Sequence, residues 1–511
     1  MGQAGEAMRD QTSANGTSGT RNRYRTLALG TLAVALGVGG VSGCMSLAPH
    51  YERPSMPVPD AWPHDAPDSG TGAASRTSWR DYFPDPQLQA LIAQALKQNR
   101  DLRIAVQRVE QARAAYGVRR ADQFPSVSAG AAYARLRTPG GFLLNQPTIS
   151  SFYDVDLVES NWELDFWGRV RNLKDVALED FLASDASRRA ATVSLIGQVA
   201  NSYLNLRQYD ERIALTRETI ASRAESLRIF RRRFEVGAIS RLDLEQSEIL
   251  LQQAQALDAQ LEQSRAAEAH ALELLVGAPL SLSPAPQALD DTSVRNDLGA
   301  GLPSALLEDR PDIVAAEHQL RAANANIGAA RAAFFPRISL TSSFGTSSSA
   351  LHSLFASGTG TWLFLPDLSL PVFDAGRNLS NLKLAQSQRD EAVAQYEKAI
   401  QSAFRDVSDA LSAREWLTSQ VGIARATLAS QSERARLARL RYDNGATPFL
   451  EVLDAQRDLL AAQQQLVQTR AALLSSRVAL YAALGGGALP PATGEQTPSS
   501  SAQPPTQDSS Q

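Results

Sequence analysis

The sequence predicts a mainly α-helical chain built from a duplicated half, with two β-strands per half set between long coiled-coil helices. Three observations lead to that fold class. Val199, Leu206, Ile213, Ile220, Leu227 and Phe234 recur every seventh residue without a break, the period of a coiled-coil seam. The pattern changes from helical to alternating at "RRADQFPSVSAGAAYA", Arg119 to Ala134, and again at "ARAAFFPRISLTSSFG", Ala330 to Gly345, each time across a Phe-Pro pair. These two switches and the motifs beyond them are related by a shift of about 210 residues, far longer than a solenoid repeat, which marks a duplicated half-protein.

The bulk numbers agree. The 511 residues are 43% hydrophobic and 20% charged with a formal net charge of -4, which excludes a strongly basic nucleic-acid binder and a disordered chain. Aromatic residues are only 6%, and Ala, Leu, Gln and Arg crowd the middle of the chain, as in long helices packed side by side.

Taken in order, residues 1–43 have the pattern of a signal peptide: Arg21, Arg23 and Arg25 precede an apolar run, Leu27 to Val41, too short and Gly-rich to span a membrane. Met8 also lies upstream of the basic cluster and is an alternative start. The run ends in "VSGC", which resembles the lipobox of bacterial lipoproteins, and the chain's only cysteine, Cys44, stands where lipidation follows cleavage. Residue 45 is Met and not Asp, so that resemblance implies sorting to the outer membrane. Residues 44–86, with prolines from Pro49 to Pro86, form an expected extended tether lying on the folded body.

The first repeat, 87–275, is expected to hold strands near 126–137 and 154–167 and a long helical hairpin turning near 237. A linker, 276–301, leads to the second repeat, 302–484, with strands near 337–346 and 361–373 and a hairpin turning near 445. The tail, 485–511, is Pro, Ser, Gln and Thr and is expected to be disordered. Phe124-Pro125 answers Phe335-Pro336, Gly117 answers Gly328, and Val127 answers Ile338. "WGRVRN" at Trp167 to Asn172 answers "AGRNLS" at Ala375 to Ser380, and Gly237 answers Gly445. In the last helix two adjacent rows keep the seven-residue step: Val452, Leu459, Leu466, Leu473 and Leu480 beside Leu453, Leu460, Val467, Leu474 and Tyr481. A double row covers an arc wide enough for a neighbour on each side, like a stave in a tube, although an ordinary antiparallel bundle has the same period.

Along the strands, Val127, Ala129, Ala131 and Tyr133 share one face, as do Trp162, Leu164 and Phe166, then Ile338, Leu340 and Phe344, then Trp362, Phe364, Leu368, Leu370 and Val372. Apolar-out, polar-in segments of this length fit a transmembrane β-barrel. Membrane barrels need at least about eight strands, so a four-stranded chain must oligomerise; two copies give about eight and three about twelve.

With these features in hand, "WRDYFPDPQLQALIAQALKQNRDLRIA", Trp79 to Ala105, resembles the entry signature of the TolC-like outer-membrane factor family, especially its lipidated OprM/NodT-type efflux members. The two Phe-Pro hinges and the Gly-Arg strand exits are similar too, and the resemblance covers nearly everything from Cys44 to Gly485. It implies a homotrimer with a twelve-stranded barrel in the outer membrane and a helical tunnel in the periplasm. It also implies partners: a periplasmic adaptor and an inner-membrane transporter of the resistance-nodulation-division kind.

No catalytic residue, cofactor site or metal site is expected. The five histidines, at 50, 64, 270, 318 and 352, have no metal-ligand spacing, and His270 and His318 fit surface or interface positions. No nucleophile elbow, phosphate loop or dinucleotide fingerprint occurs. Glu163 and Asp165 are expected to line a wet lumen. A gate is expected at the second hairpin, where Leu450 and Asp454, four residues apart, share a helical face. Efflux members of the family constrict this end with a Leu ring and an Asp ring, and "FLEVLDAQ" carries both types. Thr447 stands where some relatives have another acid, and the plainer alternative makes Leu450 core and Asp454 a solvated first-turn acid. The resemblance further implies that an adaptor docks across the two turns, at Gly237 and Ala238 and at Gly445 and Ala446.

The expected function is the outer-membrane exit duct of a tripartite efflux system for drugs and other small toxic compounds. A tunnel for type I protein secretion or metal efflux is the alternative within transport, and a periplasmic coiled-coil adaptor or scaffold lipoprotein the alternative outside it.

Overall fold

The computed structural model describes residues 46–62, 77–139, 148–280, 282, 289, 291–301 and 303–487. The expected signal peptide, Cys44 and the tail beyond 487 lie outside the described residues. The chain is mainly helical with a four-stranded sheet, as expected from the duplicated pattern. In order it runs α1 (Trp79–Tyr82), α2 (Pro86–Gln98), α3 (Arg100–Ala121), β1 (Val127–Thr138), β2 (Thr148–Glu163), α4 (Arg169–Glu235) and α5 (Arg241–Val276). It continues with α6 (Leu306–Asp309), α7 (Pro311–Ala332), β3 (Arg337–Ser348), β4 (Gly360–Ser369), α8 (Arg377–Asp443) and α9 (Phe449–Ala483). The repeat is visible in the lengths: α3 and α7 have 22 residues each, and α4 and α8 have 67 each. At 1.5 Å per residue, each of the two longest helices extends roughly 100 Å.

The chain divides into two units. The first gathers residues 123–172 and 328–378 with 46–48, and its centre is one antiparallel sheet in the order β1-β2-β3-β4. Ala131 pairs with Val155, Leu157 with Phe344, and Phe344 with Trp362, so successive apolar residues of all four strands fall on one face. β2 runs from Thr148 to Glu163, starting and stopping before the expected 154–167. A register shift between Glu159 and Trp162, with Asn161 at φ 61°, puts two residues on the bulged side and returns Trp162 to the apolar face opposite Leu340. β4 ends at Ser369 and holds Pro366 opposite Leu340, which an edge strand tolerates because the missing N–H can face away from the ladder.

At the strand-to-helix joints the Trp167 indole stacks on Phe335, centroids 4.7 Å apart, and donates to the Pro336 carbonyl at 2.9 Å. Glu163 and Asp165 do not stand free. Arg169 holds Glu163 through two hydrogen bonds of 2.8 and 2.6 Å, Arg337 approaches it at 3.3 Å, and Asp165 accepts from the Arg171 amide at 2.7 Å near the start of α4.

The second unit holds residues 49–122, 173–327 and 379–487. Asp85 caps α2 through the Gln87 and Leu88 amides, Pro86 opens it, and Leu88 and Ile92 enter the core without exposure. Tyr82 stacks on Tyr481 at 4.4 Å, closing the end of α9 over the start of the repeat. The row Leu453, Leu460, Val467, Leu474 and Tyr481 is buried throughout, while its neighbour row is buried at Val452 and Leu480 and half-buried at the three positions between. On α4 the seam is buried from Val199 to Ile213 and at Leu227, but Phe234 is exposed and Phe230 takes its place in the core. A straight helix drifts away from a strict seven-residue repeat, and at the hairpin end that drift has carried the stripe round by one turn.

Residues 49–62 lie along the helices of this unit. Tyr51 Oη donates to Glu317 at 3.1 Å, Arg53 grips the same carboxylate at 3.2 and 2.9 Å, and Trp62 stacks on Phe404. Burial alone would raise the Glu317 pKa, but hydrogen bonds from Arg53 and Arg321 outweigh it and hold the carboxyl below its usual range. His318 Nδ1 lies 2.6 Å from Glu179 on α4, and His270 is exposed. Among the described residues no helix is long and apolar enough to cross a membrane.

Candidate functional site

The two hairpin turns are built alike. In the first, the Gly237 amide donates to Phe234 O at 2.9 Å and the Ala238 amide to Arg233 O at 2.8 Å. In the second, Gly445 donates to Tyr442 O and Ala446 to Arg441 O, both at 2.9 Å. Gly237 and Gly445 have φ of 74° and 72°, the left-handed conformation that closes a helix in a Schellman motif and favours glycine. The return helices start differently. Ser240 and Asp243 form a reciprocal capping box at α5, whereas Pro448 precedes α9 without a side-chain cap.

An aromatic cluster joins the turns. Phe230 and Phe449 have centroids 4.0 Å apart, Tyr442 lies 5.0 Å from Phe449, and Arg233 donates to Tyr442 Oη at 3.0 Å. Leu250, Ala438, Val452, Leu453 and Ala455 complete this small core. It fixes the face that α9 turns away from the core. Leu450 is 50% exposed, so it is not a core residue in this chain, and Asp454 lies one turn further along. Asp454 pairs with Arg457 at 3.2 Å, Arg457 with Asp458 at 3.3 Å, and Asp458 with Arg434 of α8 at 2.6 Å. The Arg434 hydrogen bond holds the Asp458 carboxyl below the usual carboxylate range. The exposed leucine and half-buried carboxylate therefore belong to a helix linked to its neighbour by aromatic packing and a chain of charges. An open groove of about 670 Å³ lies nearby, lined by Ser430, Leu437, Arg441 and Glu451 among others.

The sheet carries the second functional surface. Its polar face holds Asp154, Asp156, Ser343, Thr341 and Asp367, fixed by the pairs Ala132 with Asp154, Asp156 with Gly345, and Ser339 with Asp367. Glu163, opposite Ser339, lies on the same face, while Asp165 lies beyond the end of β2. The expected strand already contained Asp154 and Asp156, but counting by twos from Trp162 sets them on the apolar face, and only the bulge between Glu159 and Trp162 moves them across. Among the described residues no group of three His, Cys, Asp or Glu could hold a metal ion.

Against known proteins, a family model described as "Outer membrane efflux protein" matches twice, over residues 91–278 and 302–486, one match per repeat. The chain is 41% identical to the outer membrane protein OprJ of Pseudomonas aeruginosa, over 87% of this chain and 93% of that protein. It is 42% identical to the solvent efflux pump outer membrane protein SrpC of Pseudomonas putida, over 88% of this chain and 96% of that protein. Among solved structures, the open state of the Neisseria gonorrhoeae MtrE outer membrane channel is 37% identical and superposes with a TM-score of 0.77, covering 87% of this chain and 98% of that one.

Proposed function

The chain belongs to the outer membrane efflux protein family, and from that premise we propose that three copies form a passive exit duct across the outer membrane for small toxic amphiphiles. The observation that carries this reading is the sheet. β1 and β4 are its two edges, and its apolar residues share one face. In hydrocarbon an unpaired edge has no water to satisfy it, so the sheet must close, and four strands are too few to close alone. Three copies supply about twelve strands, wide enough for a solute-conducting lumen. The helical part forms the periplasmic tunnel. Leu450 and Asp454 form its gate, three carboxylates repelling one another unless held by neighbours such as Arg457. The paired turns, at Gly237, Ala238, Gly445 and Ala446, receive a periplasmic adaptor that links the duct to an energised inner-membrane transporter. Cys44 carries the lipid that anchors the N-terminus. The chain moves cargo without catalysing a reaction.

Deleting the gene and restoring it on a plasmid tests this. Sensitisation to a broad panel of amphiphilic antibiotics and solvents, reversed by the plasmid, is the expected result. Sensitivity confined to one metal ion, or loss of one secreted protein with an unchanged panel, would replace the drug reading with the corresponding tunnel.

A further inference from the structure

The apolar face of the sheet, which looks outward in the proposed ring, carries charge only at its two ends. Val127, Ala129, Ala131, Tyr133, Arg135 and Arg137 share that face of β1, with Glu159 of β2 opposite Val127 and Ser151 opposite Arg135. Glu159 lies at the helix end, where it is buried and accepts from the Trp162 amide at 2.9 Å. The two arginines lie at the loop end, both exposed, and among the described residues neither makes an ion pair. From Val127 to Arg135 the strand runs about 26 Å, enough for a tilted strand to cross most of the apolar band of a membrane barrel.

Charges in that place call for counter-charges, and the chain brings none. Residues 123–153 contain no Asp or Glu, and neither do residues 338–366, so the strand ends and the segments joining β1 to β2 and β3 to β4 are free of carboxylates. Every copy has the same sequence, so a ring adds arginines to this rim and no acids. Just before the arginines, Tyr133 packs on Tyr153 with centroids 4.7 Å apart and stays 55% exposed. Aromatic side chains on the outer face of a barrel stand where hydrocarbon gives way to headgroups. Arg135 follows about 7 Å further along the strand and Arg137 about 13 Å further, which sets both at headgroup level.

We infer that Arg135 and Arg137 form a binding site for a phosphate group of the outer-leaflet glycolipid, one site on each copy. This rests on the ring reading, which puts the apolar face in lipid and the loop end outside. The chemistry selects the ligand. A guanidinium presents paired N–H donors that match two phosphate oxygens, a geometry that a point charge does not supply. Two residues apart on one face, the arginines have Cα atoms about 7 Å apart, within reach of one phosphate or of two neighbouring ones. The Ser151 hydroxyl, directly across from Arg135, is a further donor on the same face. A free phosphate would satisfy the arginines but not the apolar surface beneath them, where Tyr133, Phe344 and Trp362 are 55%, 71% and 77% exposed. A phosphate borne on acyl chains satisfies both.

The test titrates the full chain in detergent with diphosphorylated lipid A and counts bound lipid by native mass spectrometry, for wild type and for Arg135→Gln with Arg137→Gln. An arginine at an anionic lipid surface contributes about a fivefold gain in binding, so the double variant should need roughly thirtyfold more lipid for equal occupancy. Its copy number and its conductance in planar bilayers should match wild type. Lipid A stripped of both phosphates should bind wild type as weakly as the phosphorylated form binds the variant. Equal retention by variant and wild type, or equal binding of the stripped lipid, overturns the site and leaves contact through acyl chains alone. Full displacement by inorganic phosphate at the lipid's own concentration also overturns it, in favour of a free-anion site. Should the double variant assemble poorly, the two lipids compared on wild type decide the matter. A conducting wild-type oligomer without phosphate preference overturns the site and leaves the ring; wild type that stays monomeric and forms no pore overturns both.

Discussion

Asp454 lies 3.2 Å from Arg457, and that pair stands at the end of a charge chain reaching Arg434 on the adjacent helix. Leu450, one turn before Asp454, projects from the same helix face into solvent. Of the pair proposed as a gate, Leu450 is thus exposed and Asp454 half-buried on the single chain, on a helix tied to its neighbour.

Replacing both, Leu450→Ala with Asp454→Ala, is expected to raise single-channel conductance in planar bilayers several-fold. Conductance equal to wild type would return both residues to an ordinary surface role. Arg434→Gln tests the tether more gently. Half-exposed ion pairs are worth about 0–1 kcal/mol, so channel opening should become easier at low salt and little changed at high salt.

The aromatic cluster contributes more. Phe449 is buried against Phe230, and Phe→Ala in such cores costs about 3–5 kcal/mol. Phe449→Ala should therefore speed amide exchange in the last turns of α4 and α8 by at least about a hundredfold while exchange around Tyr82 and Tyr481 stays unchanged. Uniform exchange changes along the chain would mean that the cluster does not act as a separate cooperative unit.

Glu317 makes the N-terminal strap sensitive to acid. Its carboxyl titrates below the usual range when folded because Arg53 and Arg321 donate to it despite burial. The contribution is complete above the unfolded carboxyl's pKa, about 4.3, and is lost as pH falls through the folded value. Proteolysis within residues 49–62 should increase below about pH 4, and Glu317→Gln should show the increased cleavage already at neutral pH with little further dependence. A strap equally protected at pH 3 and pH 7 would contradict this role.

The hairpin turns give a prediction about partners. Cysteines at Ala238 and Ala446 should cross-link in cells to a periplasmic adaptor, and a membrane-impermeant thiol reagent should not reach them from outside. Labelling from the external medium would reverse the orientation.

Much of this was legible in the sequence because the physics behind it is periodic. The buried row from Leu453 to Tyr481 and the shared face of Val127, Phe344 and Trp362 follow from spacings of seven and two, and register does not need to be known to see them. What escaped depends on single backbone events. The bulge at Asn161 resets parity within β2, so Asp154 and Asp156 share the polar face with Glu163, which Arg169 and Arg337 hold, while Glu159 falls on the face of Leu157. Phe230 replaced Phe234 in the core because helical drift accumulates over 67 residues. The Tyr51 and Arg53 grip on Glu317 joins residues more than 260 positions apart, with no local pattern to announce it.

The most direct measurement is the mass of the detergent-solubilised particle by native mass spectrometry. Three copies of one processed chain, with no unassembled monomer at working concentration, is the predicted result. A monodisperse monomer, or a dimer whose sheets would close with only about eight strands, would contradict the three-copy duct.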